Sequence, residues 1–315
     1  MLLAAQVTAS AATLPDPAEL PAVPGLPDPL LTAAGERVTT KEDWFQNRKG
    51  ELQALVQHYE YGTLPAAPGQ IEAKVMHTDT QAYGGKATLR EVQLTWGAPE
   101  GSIQLLLVTP NATPKAAPVF VGLNFTGNHT LVTDPKVQLP TVWMSERNSG
   151  PDNRAGEEER GKNVDTWNIE QAIDRGYAVA TFFNGDVVPD EPKLAEEALR
   201  KFRPEGQSTR GPSDAGTIAA WAWCIHRAVD YLVSDPRIDA KRIVVVGHSR
   251  NGKTALLAAA FDERIALAIP SQAGCGGTAP ARVAPELATP QVNGRPKAET
   301  VAVINKNFPH WFCGN

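Results

Sequence analysis

The sequence predicts an α/β fold, with a mostly parallel central sheet and helices on both faces. Two observations carry this. Four apolar runs lack the alternation of a half-exposed strand: 117–125 (APVFVGLNF), 177–183 (YAVATFF), 242–247 (RIVVVG) and 265–272 (IALAIPSQ). A strand that is apolar at nearly every position is covered on both sides, as in parallel sheets. Helical spacing also appears between them. Apolar residues at 218, 221, 222, 225, 229 and 232 mark a helix over 217–233, and NGKTALLAAAF (251–261) marks another. Buried strands alternating with helices make a sheet sandwiched between helical layers.

The elements follow in order. Residues 1–30 are a leader, and six prolines between 15 and 29 exclude helix and central strand there. Ala9-Ser10-Ala11 resembles a signal-peptidase site, without a basic region before it. The leader is either the remnant of a signal peptide or a disordered start. Residues 31–315 form the folded domain. A first helix is expected from about Thr40 to Gly62. TLREVQLTW (88–96) and SIQLLLV (102–108), joined by APEG, read as a hairpin. Residues 140–165 are polar and aperiodic, an expected surface insertion, and Glu157-Glu158-Glu159 is expected to be solvated.

Composition narrows the function. Of 315 residues, 42% are hydrophobic and 21% charged, with a net charge of −5. No basic block marks a nucleic-acid partner, and no apolar run approaches the roughly 18 residues of a membrane span. Cys224, Cys275 and Cys313 fit no zinc spacing. They are read as free buried thiols, or as one bridge with a thiol left over.

The chemistry centres on GHSRNGK (247–253). Ser249 follows an apolar strand and precedes a helix, which is where an α/β-hydrolase fold places its nucleophile. The residue after such a serine offers its backbone N–H to an oxyanion. The usual G-x-S-x-G pattern fails, because Asn251 stands where the second glycine should be. The alternative is a serine that merely caps the helix.

Further segments extend the likeness. GHSRNGKTALLAAAFDERIALAIPSQAGCGGTA, GLNFTGNHT (122–130), RGYAVATFFNGDVVPD (175–190), TIAAWAWCIHRAVDYL and ETVAVINKNFPHWFC (299–313) occur in one order. Together they resemble the glucuronoyl esterases, carbohydrate esterase family fifteen, and its bacterial branch most. The resemblance implies hydrolysis of the ester between 4-O-methyl-glucuronic acid of glucuronoxylan and lignin alcohols. It implies a secreted or periplasmic, monomeric enzyme that needs no cofactor. Ser249 matches the nucleophile and Arg250 the arginine that helps stabilise the oxyanion. Lys253 and Glu299 match ligands of the sugar. Asn124 to Asn128 are expected to line the site. The sequons at Asn111, Asn124 and Asn128 are read as chance.

The resemblance also implies a catalytic histidine well downstream of NFPHWFC. None of His58, His77, His129, His226, His248 and His310 matches it, and Gln272 stands where some members carry the acid. The chain is therefore expected to be a fragment or truncated product whose C-terminal part is missing, one that folds poorly and has negligible esterase activity. Two alternatives stay open: an acetylxylan or other carbohydrate esterase, and a non-catalytic carbohydrate-binding remnant.

Overall fold

The structure is a computed structural model that describes residues 14–315 apart from 22–24, 114, 205, 281–290, 293–294 and 297–298. Ala9-Ser10-Ala11 and much of the loop before Glu299 thus lie outside the described residues. Seven strands build the main sheet: β1 (Ile71–Ala82), β2 (Ala87–Trp96), β3 (Gly101–Pro110), β4 (Ala117–Asn124), β5 (Ala178–Phe183), β6 (Ile238–His248) and β7 (Ile265–Ser271). Their order is β1-β2-β3-β5-β4-β6-β7.

The sheet is mixed, which corrects the expectation of a mostly parallel one. β1–β2, β2–β3 and β3–β5 pair antiparallel, whereas β5–β4, β4–β6 and β6–β7 pair parallel. The expected hairpin is β2–β3. The unforeseen strand is β1, an edge strand whose IEAKVMHTDTQA is mostly exposed and carries little apolar signal.

Helical residues 41–61 occupy the expected first helix and include α1 (Lys49–Val56). The remaining helices that matter are α2 (Ile169–Asp174), α3 (Pro192–Ala198), α4 (Thr217–Leu232), α5 (Arg250–Phe261) and α6 (Val301–Asn307). α4 is buried along nearly its whole length, from Thr217 to Val229. A helix that is apolar all round needs neighbours on every side. It packs on α5 and on the sheet, and Trp221 Nε1 donates to Val188 O at 3.0 Å.

The two faces of the sheet are covered unequally. The larger core joins Leu105, Leu107, Val119, Val121 and Ala180 to α4 and α5. The smaller joins Leu89, Leu106, Val108 and Val179 to Ile169 and Ile173 of α2. On that second face the far end of the sheet stays open: Leu267 is 55% and Ile269 44% exposed. A cleft of about 610 Å³ runs there between Phe120, Trp167, Tyr177, Val246 and Ile269. Full coverage on both sides therefore holds for β3 and β5 but not for β7.

The insertion at 140–165 is irregular as expected, with short helical turns. Cys224, Cys275 and Cys313 are buried and unpaired. Among the described residues no helix is long and apolar enough to cross a membrane.

Candidate active site

β6 delivers the chain to Ser249, and α5 carries it away. Between them Ser249 takes φ 56° and ψ −125°. That conformation is costly for a residue with a side chain, and it persists only where the surroundings enforce it. Here they do. Ser249 N donates to Ser271 O at 2.9 Å, and Ser249 O accepts from Gly252 N at 2.8 Å and Lys253 N at 3.1 Å. Although Ser249 occupies the N-cap of α5, its hydroxyl caps nothing. The capping alternative is thereby answered by geometry.

Two small residues make room for the turn. A Cβ on Gly247 would fall 2.8 Å from Gly252 N and closer still to the Asn251 carbonyl. Gly252 itself sits against Ser271 O and Gly247 O. Asn251 tolerates the position of the missing second glycine because its side chain turns inward. It is 1% exposed, and its Nδ2 donates to Leu123 O at 3.1 Å, tying α5 to the end of β4.

Arg250 opens α5. Its guanidinium lies 4.8 Å from the ring centre of Phe125 and 5.7 Å from that of Trp311, and its Nε is 2.5 Å from Asp190 Oδ2. Lys253, one helical turn on, is 3% exposed. Its Nζ donates to Ala273 O, lies 4.0 Å from Glu299 Oε2 and sits 5.7 Å from the Trp311 ring. Burial pulls the Lys253 ammonium below its ordinary pKa, while the Glu299 carboxylate opposes that. Glu299 also accepts from Cys275 N at 3.0 Å and keeps 39% of its side chain exposed. All four residues singled out in the sequence thus meet at one end of the sheet. Trp311 touches both cations.

Sequence reasoning missed Asp190 and Trp311. Asp190 and Trp311 lie inside motifs already noted, VVPD and FPHWFC, but nothing in a linear sequence pairs residues 121 positions apart. Of the stretch Asn124 to Asn128, Phe125 does face the site, against Arg250, but the two asparagines do not. Asn124 and Asn128 are 2% and 3% exposed and serve the loop itself. Asn124 Nδ2 donates to Asn128 Oδ1 and Thr181 Oγ1, and Asn128 Nδ2 donates to Gln104 O. This burial is also incompatible with glycans at either residue.

Four of the six histidines are committed elsewhere. His58 pairs with Ser213, His77 with Asp134, His226 with Ala258 O and His310 with Asp190. His129 is buried with both ring nitrogens unpartnered, and His248 is exposed. Among the described residues none hydrogen-bonds to Ser249 Oγ. Among them, too, no cluster of His, Cys, Asp and Glu could hold a metal ion.

Comparison with known proteins finds relatives of one family. A family profile described as "Glucuronyl esterase, fungi" matches residues 163–312. A glucuronoyl esterase from Solibacter usitatus is 35% identical, with a TM-score of 0.80 over 95% of this chain and 73% of that one. A promiscuous CE15 esterase from a marine bacterial metagenome is 38% identical, with a TM-score of 0.78 over 95% and 72%. The 4-O-methyl-glucuronoyl methylesterase of Neurospora crassa is 30% identical over 82% of this chain and 52% of its own. The chain spans about half to two thirds of the length of the curated relatives it matches.

Proposed function

The chain belongs to the glucuronoyl esterases of carbohydrate esterase family 15, and from that membership we propose that its site serves serine-dependent hydrolysis of 4-O-methyl-glucuronoyl esters. The substrate on this reading is the ester joining glucuronoxylan to lignin alcohols. The observation that carries it is the convergence of a strained Ser249 with Arg250, Lys253 and Glu299 at one end of the sheet.

Each group has a role. Ser249 Oγ attacks the uronoyl carbonyl, and collapse of the tetrahedral intermediate breaks the bond to the alcohol, which leaves with a proton. Water then cleaves the acyl-serine. The Arg250 N–H and the adjacent guanidinium stabilise the oxyanion. Lys253 donates to sugar hydroxyls and Glu299 accepts from them. An uronate ring needs such polar ligands, whereas an acetyl group does not, which favours this reading over an acetylxylan esterase. Export of the protein follows from the extracellular substrate.

The general base is a separate matter. No described histidine hydrogen-bonds to Ser249 Oγ, so the base is assigned to none of them, and the test does not depend on full turnover. The test pairs two readouts: hydrolysis of benzyl glucuronate, and covalent labelling by a p-nitrophenyl phosphonate followed by mass spectrometry. Labelling at Ser249, lost in Ser249→Ala, supports the esterase reading. Absence of labelling, with uronoxylan binding intact in Ser249→Ala, would replace it with a non-catalytic binding protein.

A further inference from the structure

Asp190 lies in the loop after β5, 59 positions before the serine in sequence, yet it meets Arg250 directly. Its two oxygens are fully engaged. Oδ2 faces Arg250 Nε at 2.5 Å, and Oδ1 accepts from Trp311 Nε1 at 2.7 Å with His310 Nε2 at 3.0 Å. The surroundings are dry: His310 is 6% and Trp311 3% exposed, and the Asp190 side chain 16%. Burial pushes this carboxyl up, but donation from His310 and Trp311 and the positive charge of Arg250 together hold it below the usual carboxylate range. The guanidinium is held on further sides by the rings of Phe125 and Trp311.

We propose that Asp190 is the positioning residue of the site, a buried carboxylate that clamps the Arg250 guanidinium beside the nucleophile and locks the 309–311 turn against it through His310 and Trp311. This deepens the esterase reading and rests on it for its catalytic meaning. The physical reason for a clamp is entropy. A free arginine samples many rotamers, and orienting one during the reaction costs conformational entropy. A carboxylate ion-paired beside Nε meets that cost on folding and leaves the terminal NH₂ groups to face developing charge. The same carboxylate balances the cation in the resting state, so the guanidinium can sit at 28% exposure next to two aromatic rings. His310 and Trp311 also gain a role: they fix the carboxylate that fixes the arginine.

The experiment has one arm that is independent of ester hydrolysis. In the ¹H–¹⁵N spectrum of the 315-residue protein, the Arg250 Nε–Hε signal is identified by its loss in Arg250→Lys. The expected result is a sharp, slowly exchanging signal that broadens away in Asp190→Asn and returns at least in part in Asp190→Glu. A thermal melt of each variant shows whether the fold survives. If Asp190→Asn does not fold, Trp311→Phe, which removes one donor to Asp190, is expected to broaden the same signal. A signal unchanged in a folded Asp190→Asn, or unchanged in Trp311→Phe where Asp190→Asn does not fold, overturns the proposal.

The second arm follows phosphonylation of Ser249 by p-nitrophenyl phosphonate. The new Oγ–P bond forms as p-nitrophenolate leaves, and the serine proton goes to solvent. A slowing of about tenfold or more in Asp190→Asn, absent when Arg250 is already alanine, is the expected signature of action through Arg250. Equal slowing in both backgrounds overturns it. If the wild-type protein is not labelled at all, the esterase reading falls, and the first arm alone decides the clamp.

Discussion

Replacing Gly247 by alanine tests the elbow most directly, because the structure states where the new methyl would go. Its Cβ would lie 2.8 Å from Gly252 N and closer still to the carbonyl carbon and oxygen of Asn251. Real Cβ atoms essentially never come within 3.0 Å of such atoms. The backbone must therefore open by something on the order of 1 Å. The first turn of α5 cannot yield freely, since Ser249 N is bonded to Ser271 O and Asn251 Nδ2 to Leu123 O. The displacement falls on Ser249. Overpacking of this kind costs about 1–3 kcal/mol of stability, and a misplacement of about 1 Å at a reacting group costs roughly 100-fold in rate. Urea unfolding and the rate of Ser249 phosphonylation read the two effects separately. Gly50→Ala is the control. Gly50 is exposed in α1 with nothing within 4 Å of its Cβ, so the same substitution there should stabilise by up to about 1 kcal/mol. Wild-type labelling and unchanged stability in Gly247→Ala would show that the turn is not packed as described, and the reasoning would fail.

Three further outcomes are expected. Asp235→Ala strips the charged partner from Arg90, whose Nη2 lies 2.6 Å from Asp235 Oδ2 with side-chain exposures of 8% and 3% and which keeps only the Tyr231 hydroxyl; a loss of about 3–5 kcal/mol in urea unfolding is expected, and a loss below about 1 would refute it. His129 is held neutral, its pKa lowered to about 4 by burial and then by Arg160. The unfolded chain binds that proton near pH 6.5, so the stability His129 contributes is complete above pH 6.5 and declines toward pH 4, by about 3 kcal/mol at most. His129→Gln should flatten that part of the stability–pH curve, and a curve of unchanged slope would contradict it. Leu267→Lys with Ile269→Lys should reduce concentration-dependent association seen by light scattering, because both side chains stand exposed on an edge strand.

What the sequence made legible follows the strength of its local signals. The strands β4 to β7 and the helices α4 and α5 were readable because their apolar pattern is continuous over whole elements. β1 was not, since a mostly exposed edge strand carries no such pattern. The mixed character of the sheet was invisible for a related reason: whether β3 runs with or against β5 is decided by pairing across about 70 residues, and no residue in either strand encodes direction. At the site, Ser249, Arg250 and Lys253 were readable because they share one turn and a half of chain, and Glu299 through its motif. Asp190 and Trp311 differ. Each is an ordinary residue in its own segment and acquires meaning only where three segments meet. Asn124 and Asn128 show the opposite error, since polar residues in a loop beside a nucleophile look like ligands until their burial shows that they satisfy one another. The legible part of such a site is therefore its local turn chemistry. The part that orients the charged groups is tertiary, and the Asp190–Arg250 contact is where the two meet.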